Sequence, residues 1–164
     1  MEFTTLLHTY ADYDQWATDR LLEPLSELSD AMLDTPVKSS FPSLRSTLMH
    51  IRDAEHVWYC RLTGQPHRWP AEPDNGLDTL RKHMRILHEH VIGSDADALG
   101  KVHSYTDLRG NVHEQQAWQI LMHCFNHSSY HRGQVVSIMR LLELGPVPAT
   151  DMIVFHRLRA KGEV

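Results

Sequence analysis

The sequence predicts an all-helical (all-α) fold: a four-helix bundle with a short docking segment at the C-terminal end. Three observations carry this expectation. Apolar residues recur at intervals of three and four through four separate stretches, the period of a helix with one buried face. Glycine- and proline-rich breaks separate those stretches. The two cysteines, Cys60 and Cys124, are far apart and in no CxxC arrangement, so neither a disulfide framework nor a zinc ribbon replaces a packed core. A chain of 164 residues is expected to form one domain over 1–164 and to bury roughly 70% of its unfolded surface.

The first helix is read over residues 4–28 from Leu6, Leu7, Tyr10, Tyr13, Trp16, Ala17, Leu21, Leu22, Leu25 and Leu28, with a kink or break expected near 20–23 because Pro24 removes a backbone donor and crowds the preceding turn. The second follows Ser39-Ser40-Phe41-Pro42, with Ser40 or Ser43 as cap. Leu44, Leu48, Ile51, Ala54, Val57, Trp58 and Leu62 form its stripe, and Gly64 stops it. Residues 64–76 hold three prolines and two glycines and are read as a surface loop. A third helix is expected over 77–92, capped by Asp74 or Asn75, with Leu80, Met84, Leu87 and Val91 inward. The alternation in 102–112, with a possible turn at Arg109-Gly110-Asn111, suggests a short irregular hairpin. The last long helix is expected over 114–144, ending at Gly145-Pro146. Met152, Ile153, Val154 and Phe155 form the docking segment, as a short fifth helix.

A formal net charge of -5 argues against a phosphate-neutralising face, so nucleic acid is not an expected partner. The start lacks a basic region followed by an apolar run, and no stretch approaches the length of a membrane span, so a soluble, cytoplasmic protein is expected, with no membrane association. Thirteen histidines are the compositional anomaly. Their spacing has to separate metal chemistry from polar surface.

His127 and His131 stand at i and i+4, about 40° apart around a helix, where two imidazoles can share one ion. The glutamate that zinc proteases place between such histidines is missing, so that chemistry is not expected. Taken alone the pair reads equally well as solvated or hydrogen-bonded histidine. The same face continues into Val135 and Ile138, however, where unpaired polar groups are costly and a metal ion would satisfy both rings. His50 interrupts the apolar stripe of the second helix and is the candidate third ligand, although a lone helical histidine is more often a satisfied core or rim residue. His123 is the rival. The rise of about 12 Å from 123 to 131 argues against one ion shared by all three and makes it a core residue or a support for the ligands. His56 points elsewhere, and the remaining histidines are read as solvated surface. Gly133, mid-helix, signals close packing or simple tolerance, and Arg132 and Gln134 either orient ligands or face water.

The string Asn126-His127-Ser128-Ser129-Tyr130-His131-Arg132-Gly133-Gln134 closely resembles the last-helix signature of the DinB family. Leu48-Met49-His50-Ile51 with Ala54-Glu55 and Trp58 is similar to the family's second helix, and Tyr13 with Trp16-Ala17 to its first; Asp14 departs from the asparagine often found there, and the 64–76 loop has no counterpart. The resemblance implies a four-helix bundle with one long crossover connection, a homodimer, and a divalent metal ion held by His50, His127 and His131. It also implies metal-dependent thiol transfer to small electrophilic substrates from a low-molecular-weight thiol, although many family members have no assigned reaction.

Three neutral histidines would leave an ion its charge and an open position, the layout of a catalytic site, equally suited to hydrolysis. Zinc or nickel is expected first, with iron or manganese as alternatives, since imidazole suits several divalent metals. Asp12, Asp53, Glu55 and Tyr130 are candidate acid or base groups without a spacing that singles one out, and surface or capping roles are expected for them. A metal-binding stress-response or regulatory module without chemistry is the alternative reading.

Overall fold

The computed structural model describes residues 2–164. In chain order the elements are α1 (Phe3–Leu25), α2 (Asp30–Leu33), α3 (Leu44–Thr63), α4 (Leu77–Ile92), α5 (Ala96–Gly100), β1 (Val102–Thr106), β2 (Val112–Gln116), α6 (Ala117–Leu141) and α7 (Met152–Ala160). The chain is mostly helical, with one two-stranded sheet among the described residues.

Local chemistry sets most of these boundaries. The Ser43 hydroxyl accepts from the Ser46 backbone while Ser46 reaches back to Ser43, a reciprocal cap that starts α3. Gly64 ends it in the left-handed conformation at φ 71°, where a side chain would be strained. The expected interruption of α1 does not occur. Pro24 lies in the last turn, one residue before the end, so its missing N–H leaves only the Arg20 carbonyl without its helical partner and the helix runs unbroken to Leu25. The 77–92 helix forms at its expected bounds, but Gly76 is its cap; Asp74 instead accepts from the Gly76 N–H.

The hairpin is present and longer than 102–112. Val102 pairs with Gln116 and Thr106 with Val112, so residues 114–116 are extended and α6 begins at Ala117, capped by Gln116 and Gln119. Asp107 nucleates the turn by accepting from the Arg109 and Asn111 N–H groups at 2.8 and 2.9 Å. At the other end α6 stops at Leu141 rather than 144, as Leu144 N–H folds back onto the Met139 carbonyl.

α3 packs against both α6 and α4, and α1 against α4 and α6. The buried apolar residues divide into two clusters, one around Leu21, Leu48, Leu80 and Met139, the other around Leu7, Leu87, Leu121 and Phe125. Between their contributions on α1, α3 and α6 lies a buried polar layer of Asp14, Thr18, Glu55, Ser128 and Arg132. Arg132 donates to Asp14 and Thr18, and Ser128 donates to Glu55 at 2.7 Å, so the layer ties three helices together. The C-terminal segment docks as expected: Phe155 of α7 is buried against Tyr13 and Trp16 of α1. No helix among the described residues is long and apolar enough to cross a membrane.

Candidate metal centre

α3 and α6 face each other, and the histidines that interrupt their apolar stripes meet at that seam. His50 comes from the second turn of α3, His127 and His131 from successive turns of α6. Their ring nitrogens converge: His50 Nε2 lies 3.0 Å from His127 Nε2, and His131 Nε2 lies 3.1 Å from the same atom. The three ligand atoms all fall within 4.8 Å of one another. Phe41 covers the group, its ring stacked on His50 at 4.2 Å and edge-on to His131 at 5.6 Å. Trp69 closes a further side of His50 at 5.6 Å.

The donor set suits a divalent ion. Gln134 Nε2 donates to Ser40 Oγ at 2.8 Å, which turns its Oε1 toward His131, whose Nδ1–H donates to it at 2.8 Å. That bond fixes the tautomer and leaves His131 Nε2 with a lone pair aimed at the cluster. One N–H from His127 cannot align well with two acceptors, so the triangle concentrates lone pairs that a cation would satisfy. A tetrahedral ion with bonds of about 2.0–2.1 Å separates its nitrogens by about 3.3 Å, close to the spacing seen here. Burial, and then the neighbouring His131 and His50 rings, push the His127 pKa down to about 4. His50 is lowered by burial and by His131. Neutral imidazoles are the form that ligates.

Other residues take places the sequence did not indicate. His123 is neither core nor a support for the ligands: it is exposed, edge-on to Trp58 at 5.1 Å, with its ring centre 5.9 Å from that of His127. His56 does point elsewhere, against His83. Gly133 is exposed, and a Cβ there would meet nothing within 4 Å, so tolerance explains it rather than close packing. Arg132 turns inward to Asp14 and takes no part in the centre, whereas Gln134 orients a ligand.

Among the acid and base candidates, Asp53 and Glu55 are buried, against the surface roles expected. Asp53 accepts from Arg52 and from the Ala71 N–H, both at 2.9 Å, and Glu55 belongs to the polar layer. Asp12 pairs with His88 and Arg159 and takes no part in the His50, His127 and His131 group. Tyr130 is 63% exposed beside His131. Arg52, fully buried, escaped the sequence reading altogether. It donates to the Asp74 and Glu72 carbonyls and to Thr79, stitching the 64–76 loop to α3 and α4.

These positions can be set against known proteins. A family model described as the DinB family matches residues 1–163. The chain belongs to the DinB family. A DinB-family relative, Protein DinB of Bacillus subtilis (strain 168), is 20% identical over 142 residues, which cover 79% of this chain and 81% of that protein. The His127 and His131 pair lies within the segment that carries the DinB resemblance most closely, and His50 within the second. Beside His50 this DinB-family chain has an open cavity of about 500 Å³, lined by His50, Ala54, Trp58, Arg61, Trp69 and Leu108 among others.

Proposed function

We propose that the protein is a DinB-type four-helix bundle with one crossover connection that holds one divalent metal ion on His50, His127 and His131 and uses it as an enzyme on a small-molecule substrate. The observation that carries this reading is the convergence of three imidazole nitrogens beside a cavity large enough for a small organic molecule. Zinc or nickel is the expected metal, with iron or manganese also compatible with the donors. A bound ion would supply Lewis acidity, lowering the pKa of a coordinated thiol or water toward neutrality.

The chain's own residues do the rest. His50, His127 and His131 bring their Nε2 atoms together, and Gln134 holds the His131 ring in place through its Nδ1–H, leaving the Nε2 of that residue as an acceptor. Phe41 and Trp69 shield His50 from water on two sides. The activity proposed is transfer of a low-molecular-weight thiol to an electrophile, or hydrolysis, by a cytoplasmic homodimer. The test is metal content by elemental mass spectrometry, together with turnover of a panel of thiol and electrophile pairs, for wild type, His127→Ala and His131→Ala. One ion per chain and metal-dependent turnover, both lost in the variants, are expected. A chain that cannot be loaded refutes the site, and a loaded chain inactive across thiol-transfer and hydrolysis assays makes it a non-catalytic metal-binding stress-response or regulatory module.

A further inference from the structure

The cavity beside His50 has a floor drawn from a single helix face. His50, Ala54, Val57, Trp58 and Arg61 follow one another on α3 at intervals that keep them on one side of the helix. The two ends of this row differ in chemistry. One is a candidate metal ligand. The other is a guanidinium lying over the Trp58 ring, 4.3 Å from its centre, and 4.7 Å from that of Tyr105. Eleven residues separate His50 from Arg61, a rise of about 16 Å along the helix, and the guanidinium lies over Trp58, whose own rise from His50 is about 12 Å. Between them the surface is apolar: Ala54 and Val57 below, Trp58 alongside, and Trp69 and Leu108 at the rim. Trp69 is 57% exposed and Leu108 fully so, at a place where an apolar ligand would cover both.

Arg61 forms no direct ion pair among the described residues, and Asp107 acts on it only through space. Its Nη2 donates to the Thr106 carbonyl at 2.9 Å, and its buried Nε has no partner. Among the described residues no carboxylate pairs with it, whereas Arg45, Arg52, Arg81 and Arg132 each hold one. With Nη2 partly engaged and Nε buried, the terminal edge of the guanidinium is what an incoming carboxylate would meet, and a carboxylate is the anion whose geometry suits it. A cation so placed, fixed by stacking at the end of an apolar trough, selects for charge at one end of a ligand only.

We propose that this cavity binds elongated organic anions with an aromatic or aliphatic body, the carboxylate on Arg61 and the opposite end beside His50. The placement of that far end at a reactive centre rests on the metal reading above; the anion site itself does not. The two side chains contribute differently. Arg61 decides charge preference, while Trp69 contributes apolar contact to charged and neutral ligands alike.

The test is isothermal titration of the full chain with 4-phenylbutyrate and with its neutral amide, in zinc-loaded and chelator-treated protein. Wild type is expected to bind the acid about tenfold more tightly than the amide, the scale of one charge-assisted hydrogen-bonded pair at a partly open site. Arg61→Gln should abolish the preference, and Arg61→Lys should keep part of it. Trp69→Ala should weaken both ligands equally and leave their ratio unchanged. Thermal melting of the Arg61 variants separates loss of the contact from loss of the fold. Equal binding of acid and amide by wild type, no binding of either, or a preference that survives in folded Arg61→Gln overturns the proposal. If zinc fails to load while the Arg61-dependent preference persists, the metal reading falls and the anion site stands. Zinc loading without the preference is the reverse result.

Discussion

Gln134 makes a testable claim about how the metal centre is held. Its Oε1 accepts from His131 Nδ1 at 2.8 Å, and its own amide is tethered by Ser40, 94 residues away in sequence. Replacing it with alanine removes a bond with a net value of about 0.5–1.5 kcal/mol, a factor of roughly 2 to 13 in affinity, and also frees the His131 ring to turn. Losing such a partner of a ligating imidazole typically costs about 10–100-fold in metal affinity. Here Phe41 and Tyr130 still flank the ring, at 5.6 and 5.0 Å, so the expected loss falls at the lower end, about tenfold. Ser40→Ala, acting only through Gln134, should cost roughly two- to threefold, well short of a full hydrogen bond. Gln134→Glu, which keeps the acceptor and adds charge, should hold affinity at or above wild type. Zinc competition against a chromophoric chelator at fixed pH reads all three. Gln134→Ala binding zinc as tightly as wild type, or Ser40→Ala proving the more damaging, would refute this account of the ligand's orientation.

Two further predictions concern stability. Burial, reinforced by Asp14, pushes Glu55 up to about 8, so the native state keeps a proton that the unfolded chain releases near pH 4.5. The stability this group contributes is complete below that value and declines by about 1.4 kcal/mol per pH unit until the folded value is passed. Glu55→Gln should therefore gain on wild type between pH 5 and 8 in urea titrations, and a difference that does not change with pH would contradict the buried neutral carboxyl. Gly133→Ala, at an exposed helical position with open space for a Cβ, should raise stability by about 0.5–1 kcal/mol with metal affinity unchanged; a loss of stability on thermal melting would mean that the glycine does serve packing.

The residues that periodicity exposes were legible and the long-range polar ones were not. The i, i+4 histidines and a third histidine inside an apolar stripe announce themselves because burying unpaired imidazole is costly. Nothing in sequence spacing says that Gln134 meets Ser40, or that Arg52 reaches back across the loop to the carbonyls of Glu72 and Asp74, because those bonds depend on how distant segments fold past one another. Glu55 and Asp53 look like ordinary helical surface charges until α6 and the 64–76 loop cover them. α2 and α5 are too short, at four and five residues, to display a helical period. Pro24 misled because the rule concerns helix interiors, and only the structure shows that α1 stops at the next residue.

Arg52 and Asp53 fasten the 64–76 loop, the segment that carries Trp69, from beneath, while Arg61 holds the hairpin through Thr106. The walls of the cavity therefore belong to two connectors, and the converging histidines belong to two helices. Selection acting on loop length or on Trp69 and Leu108 can retune what enters without touching the imidazoles. Such a division lets one scaffold diversify its chemistry by exchanging its margins, and it gives an engineer the same freedom: segments 64–76 and 107–111 are where libraries belong.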